Sequence, residues 1–382
     1  HPVESGRRVG ALSGGRTATP SPRRLSLAAR IEHSWTTGGP LALALRPIGA
    51  LHAGLVGLRR RLHRAGWLGS ERLPVPVIVV GNRVAGGAGK TPTTLALVEV
   101  LKAAGWRPGI VSRGHGGTSS LPREVLADSR AGDVGDEPVL MRRRSRVPVC
   151  VGRQRAAAGR LLLARHPDTD VILCDDGLQH LALQRDLELL LFDERGAGNG
   201  RLLPAGPLRE PIDSPSTARR QWVLYNATAP SSPLAGTCAR RRLAGLVRLE
   251  DWWQGEVPVP QVPEALLGRP VLASAGLGQP QRFFDALRLE LKLQVEGLAL
   301  PDHDDHIELP WPPGTAQVIV TEKDAVKLLP RRLAQERPGL QVWVAPLEFV
   351  LPRDLVDELL AELDRICPRR RHAAAGSPAA TR

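Results

Sequence analysis

The residues best suited to chemistry stand in one run, GNRVAGGAGKTP, from Gly81 to Pro92. Glycines let backbone N–H groups approach phosphate oxygens, and a lysine followed by a hydroxyl can hold a nucleotide's outer phosphates and a divalent cation. In that reading Gly86, Gly87, Ala88 and Gly89 form the cradle, Lys90 reaches the β- and γ-phosphates, and the Thr91 hydroxyl faces Mg²⁺. Val84 stands where the strict eight-residue pattern has glycine, so the loop is a variant, and a plain glycine-rich turn is the alternative. A second candidate is DVILCDDGLQH, which puts Asp175 and Asp176 at the end of an apolar run. Carboxylates there can hold Mg²⁺ directly or through water, or they can cap the following helix.

Such residues act only if a scaffold positions them. VPVIVVG (75–81) is short, β-branched and apolar, as a buried parallel strand should be, and it runs straight into the glycine loop. After the loop, Leu97, Val98, Leu101 and Ala104 recur at helical spacing and Gly105 ends the helix. Further strands are expected at 109–112, 147–152, 170–176, 187–193 and 221–226. Strands alternating with helices predict an α/β fold, a P-loop NTPase-type parallel sheet flanked by helices. A smaller second α/β lobe is expected from VLASAG (271–276), a helix near 280–291 and QVIVTEKDA (317–325), with the Pro/Ser-rich stretch 229–233 as one candidate crossing. The expected organisation is a disordered extension over 1–36, an amphipathic membrane-associated segment over 37–70, a core over 71–228, a second lobe over 229–367 and a tail over 368–382.

Residues 38–58 are apolar apart from Arg46 and His52, are broken by Pro40 and Pro47, and lead into Arg59, Arg60, Arg61 and Arg64. A cleavable signal peptide has its basic residues before the apolar part, and a spanning helix needs a longer unbroken run. The expected element is a helix lying among lipid headgroups with its arginines drawn to an anionic membrane surface, against a helical hairpin packed on the protein.

The 382 residues, 42% hydrophobic and 24% charged, exclude a disordered chain and a disulfide-stapled miniprotein. Four scattered cysteines have no metal-like spacing and suit a reducing compartment. The net charge of +13 suggests nucleic acid at first, but residues 1–30, 59–64 and 368–382 carry all of it. A balanced folded part offers no basic face for a phosphate backbone, so no nucleic acid is expected as partner.

With these runs in place, the sequence resembles the tetraacyldisaccharide 4′-kinases of lipid A biosynthesis over about residues 38–365. The likeness rests on GNRVAGGAGKTP, VSRGHGG (111–117), GDEP (135–138), DDGLQH (175–180), GNGRLLPAGPLREP (198–211), PDH (301–303) and TEKDAVK (321–327). His115 stands where members of the family usually have tyrosine.

The resemblance implies transfer of the ATP γ-phosphate, with Mg²⁺, to the 4′-hydroxyl of a lipid-embedded acylated disaccharide 1-phosphate, giving lipid IVA. It implies a monotopic or peripheral enzyme at the cytoplasmic face of the bacterial inner membrane. By the same resemblance Asp136 takes the hydroxyl proton, His303 pairs with Asp136, and Arg209 stabilises charge on the moving phosphoryl group. Glu210 lies in the same run, Arg155 corresponds more loosely to a family arginine, and Thr321 to Lys327 receive no individual chemistry. On residue type alone Asp136 reads as a turn residue and His303 as a surface histidine. A P-loop ATPase or switch acting through partner binding is the alternative function.

Overall fold

Val77–Asn82 is buried at every position, so its two faces need two separate cores, and the architecture follows from that need. The computed structural model describes residues 27–118, 121–301, 304, 306 and 308–368. In chain order the helices are α1 (Leu27–Thr37), α2 (Pro40–Ala44), α3 (Arg46–Arg64), α4 (Lys90–Ala103), α5 (Ala131–Val134), α6 (Asp136–Ser145), α7 (Arg155–Arg165), α8 (Leu249–Gln254), α9 (Pro280–Glu290), α10 (Glu322–Ala325), α11 (Pro330–Glu336) and α12 (Arg353–Ile366).

The first sheet contains β1 (Val77–Asn82), β2 (Pro108–Ser112), β3 (Arg123–Glu124), β4 (Val149–Val151), β5 (Val171–Asp175), β6 (Leu187–Asp193), β7 (Arg220–Asn226) and β8 (Thr237–Cys238). Its order is β3-β4-β2-β5-β1-β6-β7-β8, parallel except at β3. Ile78 and Val80 join Leu97, Val98 and Leu101 of α4 in one core, while Val77 and Val79 join Ala158 and Leu162 of α7 in the other. Alternate side chains of one strand thus serve opposite faces, as its two-residue period requires.

The second lobe is a sheet of β10 (Val247–Arg248), β11 (Pro270–Ala275), β12 (Gln294–Ala299), β13 (Gln317–Thr321) and β14 (Gln341–Ala345), ordered β10-β14-β13-β11-β12. Between the lobes lies an antiparallel ribbon of β9 (Arg240–Leu243) and β15 (Leu347–Val350). The crossing falls after β8, which still pairs with β7, rather than at 229–233. The chain also crosses back: Trp222 and Arg220 of β7 donate to Glu358 of α12 at 2.9 and 3.1 Å.

Two N-terminal expectations need correction or refinement. Residues 27–36, expected as part of a disordered extension, belong to the helix Leu27–Thr37, and the Trp35 indole donates to the Pro204 carbonyl at 3.0 Å; residues 1–26 lie outside the described residues, as do 369–382 of the expected tail. In the apolar segment, Pro40 and Pro47 sit at helix starts, where a missing N–H costs nothing, so they begin α2 and α3 rather than break them. Ala42 and Gly49 are buried, whereas Leu43, Ile48, Leu51, Leu55 and Leu58 are 49–66% exposed, so the pair is not a hairpin buried in the protein. Among the described residues no helix is long and apolar enough to cross a membrane.

Candidate active site

The glycine loop leaves β1 at Asn82 and enters α4 at Lys90, so it occupies the carboxyl end of the first sheet, next to β5 and β6. Asn82 fastens the turn from inside, its Nδ2 donating to the carbonyls of Val84 and Gly86 at 2.7 and 3.1 Å. Gly86 and Gly89 adopt φ of 93° and 82°, left-handed backbone that other residues resist. At Gly89 a Cβ would also lie 2.6 Å from the Asn226 amide nitrogen. Arg195 closes the outside of the loop by donating to the Gly87 carbonyl at 3.0 Å, its guanidinium held in turn by Asp193 at 2.8 Å.

Gly86, Gly87, Gly89, Lys90 and Thr91 all line a cavity of about 640 Å³ between the lobes. Ala88 does not, because its side chain is buried in the α4-side core. The opposite wall comes from Phe283, the Thr321–Lys323 corner and the β9–β15 ribbon at Leu243, Leu347 and Phe349. One end of the cavity is therefore suited to phosphate, and the facing wall mixes apolar Phe283, Leu243, Leu347 and Phe349 with the polar Thr321–Lys323 corner. Glu32 and Trp35 of α1 add to the rim.

Lys90 Nζ lies 3.7 Å from Asp176 Oδ1, and Arg209 Nη1 reaches the same oxygen at 3.1 Å. Burial raises the Asp176 carboxyl, but the Lys90 and Arg209 charges together outweigh that and leave it below its ordinary value. Asp176 itself sits at φ +49°, and the buried Arg155 donates to its carbonyl at 3.2 Å, so Arg155 supports the strand end rather than the surface. Asp175 is fully enclosed and accepts from Thr94 at 3.1 Å and Ser112 at 3.5 Å. Burial, then Glu137 and Asp176, push its carboxyl up to about 7.

Oxygen donors of this kind, a strand-end carboxylate and a hydroxyl at the start of α4, suit Mg²⁺, which binds through one or two carboxylates and completes its shell with phosphate and water oxygens. Thr91 and Asp175 fit that role, while Asp176 is shared by two cations. Among the described residues no group of three or more His, Cys, Asp or Glu forms a cage for a metal.

Asp136 begins α6 and is buried, its Oδ1 accepting the Glu137 N–H at 2.9 Å and its Oδ2 lying 3.5 Å from Lys327 Nζ. His303 lies outside the described residues. Glu210, next to Arg209, turns away from the cavity to meet Arg60 of α3 and, at 3.6 Å, Arg83 Nε. Sequence reading missed Thr94, Gln179 and Lys327. Thr94 carried a signal, since it falls one helical turn after Lys90 on the same helix. Gln179, which donates to the Asn82 carbonyl at 3.1 Å and accepts from Arg209 at 3.4 Å, carried none beyond its place in the DDGLQH run.

A parallel sheet, a glycine loop ending in lysine and threonine, and two carboxylates closing the neighbouring strand define a mixed α/β protein with a phosphate-binding cleft. Comparison with known proteins narrows this class. The family model described as tetraacyldisaccharide-1-P 4′-kinase matches residues 41–364, and the chain belongs to that family. It is 64% identical over 337 residues to a tetraacyldisaccharide 4′-kinase of Leptothrix cholodnii, covering 88% of this chain and 96% of the relative. It is 53% identical over 350 residues to the enzyme of that name from Methylibium petroleiphilum, covering 92% and 98%. A crystal structure of the "apo" form of LpxK from Aquifex aeolicus in complex with ATP matches with a TM-score of 0.70 at 30% identity, over 85% of this chain and 99% of that one.

Proposed function

We infer that the chain transfers the γ-phosphate of ATP to the 4′-hydroxyl of a tetraacylated disaccharide 1-phosphate, yielding the bisphosphorylated lipid IVA. The observation that carries this reading is the cleft: a P-loop-type glycine cradle with Lys90, in a cavity whose wall also includes Glu137, the residue next to Asp136 on a separate helix. Backbone N–H groups from Gly86 to Gly89 hold the phosphates, and Lys90 draws charge off the outer ones. Arg209, anchored by Asp176, supplies a planar fork of donors to the transferring group. Asp136 takes the proton of the attacking hydroxyl, because a sugar alcohol is a poor nucleophile until a base accepts that proton as the bond forms. The Thr91 hydroxyl and Asp175, with Asp176 alongside, would hold Mg²⁺. Bound there, the ion would offset charge on the bridging phosphate oxygens. Most of the acceleration comes from in-line positioning and electrostatics, since phosphoryl transfer asks little covalent help of the protein.

The acceptor's acyl chains stay in a bilayer, so the enzyme must work at the lipid surface. Ile48, Leu51, Leu55 and Leu58 share one exposed face of α3, continued by exposed Arg59, Arg61 and Arg64. That face enters the headgroup region of an anionic membrane, at the cytoplasmic side where ATP is available. Arg60 points the other way and ties α3 to Glu210, so the docking helix is linked to the residue beside Arg209.

Incubation with Mg-ATP and the disaccharide 1-phosphate lipid in detergent micelles should give a bisphosphorylated product; ATP hydrolysis without that product would favour the switch alternative. Flotation with anionic vesicles should retain the wild-type chain and lose the Leu51→Glu/Leu55→Glu variant, and equal retention of both would remove the docking face.

A further inference from the structure

Helix α6, which opens with Asp136, is tied at both ends to the second lobe. Lys327, just beyond α10, places its Nζ 3.5 Å from Asp136 Oδ2 and donates to the Asp304 carbonyl at 2.6 Å. Both side chains of the pair are 7% exposed. Four residues earlier, Lys323 Nζ lies 3.9 Å from Glu137 Oε1. About two turns along α6, Arg144 donates to Glu322 Oε1 at 2.5 Å. The corner that displays these groups is itself fixed: the Asp324 N–H donates to Thr321 Oγ1 at 3.2 Å, and the Asp324 carboxylate accepts the Gly276 N–H at 3.1 Å where β11 ends.

A stability role explains this poorly. Burying an ammonium and a carboxylate costs much of what their attraction returns, so such a pair adds little to folding compared with apolar side chains of the same size. It does fix where the carboxylate points. The lysine also donates to the Asp304 carbonyl, so a single ammonium joins α6 to two places in the second lobe.

We propose that Lys327 is a positioning residue for the phosphoryl transfer: it fixes the direction of the Asp136 carboxylate beside the cleft that Glu137 lines, and makes that direction depend on the second lobe being seated against α6. The inference rests on the reading of Asp136 as base. It assigns work to the TEKDAVK run, which contains two of the chain's five lysines. Lys323 and Arg144 set the helix against the corner, and Lys327 transmits that placement to the reacting carboxylate.

A double-mutant cycle on the full chain, in micelles with Mg-ATP and the lipid acceptor, tests it. Lys327→Met keeps the bulk of the side chain and removes its charge. It should lower kcat by about 10- to 100-fold, the scale of a misplaced reacting group, with KM for ATP within about twofold because the cradle is untouched. In an Asp136→Asn background the same change should cost less than about twofold, since no carboxylate remains to be aimed. An equal loss in both backgrounds, or a Lys327→Met enzyme as fast as wild type, overturns the proposal. Near-normal turnover by Asp136→Asn alone would instead remove the base reading, so the two failures are distinct. Thermal melting checks each variant, and Lys327→Gln replaces the methionine variant in the cycle if that one does not fold.

Discussion

The two ends of the proposed site are built in different ways. The phosphate end is one continuous stretch, Asn82 to Thr91, whose geometry is set by its own backbone and by neighbours in the first sheet: Asn82 within, Arg195 and Asn226 outside. The proposed acceptor end is assembled from residues far apart in sequence, with Asp136 from one lobe meeting Lys327 from the other. The phosphate-binding backbone therefore comes from one lobe, whereas the proposed base has its ion-pair partner in the other. Binding and chemistry should be separable by mutation.

The largest expected effect is at the acceptor end. Asp136→Asn should lower kcat by about 10³-fold, within the range for loss of a general base, and leave ATP affinity within about threefold when measured by calorimetry; a parallel loss of affinity would merge the two ends. Lys90→Ala strikes the other end and should cost about 10²-fold or more in kcat/KM, as when a charge-stabilising donor is removed, with weakened nucleotide binding as well. Turnover close to wild type in that variant would remove the phosphate-loop reading.

Gly89→Ala sharpens the comparison on a smaller scale. A β-carbon at φ +82° is strained and would press on the Asn226 amide, so the loop must open or Asn226 must move. Roughly a tenfold loss of ATP affinity is expected, with kcat at saturating ATP falling less than affinity. An unchanged affinity would mean that the loop relaxes freely.

The same contrast explains what could be read from sequence. β1, the glycine loop, α4 and the carboxylates closing β5 were legible because hydrophobic run, turn chemistry and helical period are local signals. The second lobe was legible in β11, α9 and β13, each an apolar run or periodic helix. β9 was not, since RRRL of Arg240–Leu243 has exposed arginines and becomes a strand only by pairing with β15. The return of α12 to β7 depends on contacts more than a hundred residues apart, and a linear boundary at 229 had no means of showing it. Asp136 and Arg209 were named only through resemblance. The ion pairs that locate them, to Lys327 and Asp176, are tertiary facts with no periodicity. Helix α1 looked irregular because its flanks are rich in Ser, Gly and Arg, and what orders it is the Trp35 contact with Pro204.

The smallest expected effect concerns the floor beneath the site, which should respond to pH independently of either end. Burial first, then the charges of Arg155 and Arg185, hold the His180 imidazole down to about 4, and its Nε2 accepts the Arg155 N–H at 3.2 Å. That bond needs the neutral ring, because a protonated imidazole has no free lone pair to offer. On unfolding the ring recovers an ordinary value near 6.5. Between those values the unfolded chain binds more protons than the native one, so stability falls as pH drops from about 6.5 toward 4 and is unaffected by this group above neutrality. His180→Gln cannot titrate, and its melting temperature should therefore change less between pH 7 and pH 5 than that of the wild type. Equal slopes for the two proteins would mean that the ring is protonated alike in both states, and that the hydrogen bond from Arg155 does not hold it neutral.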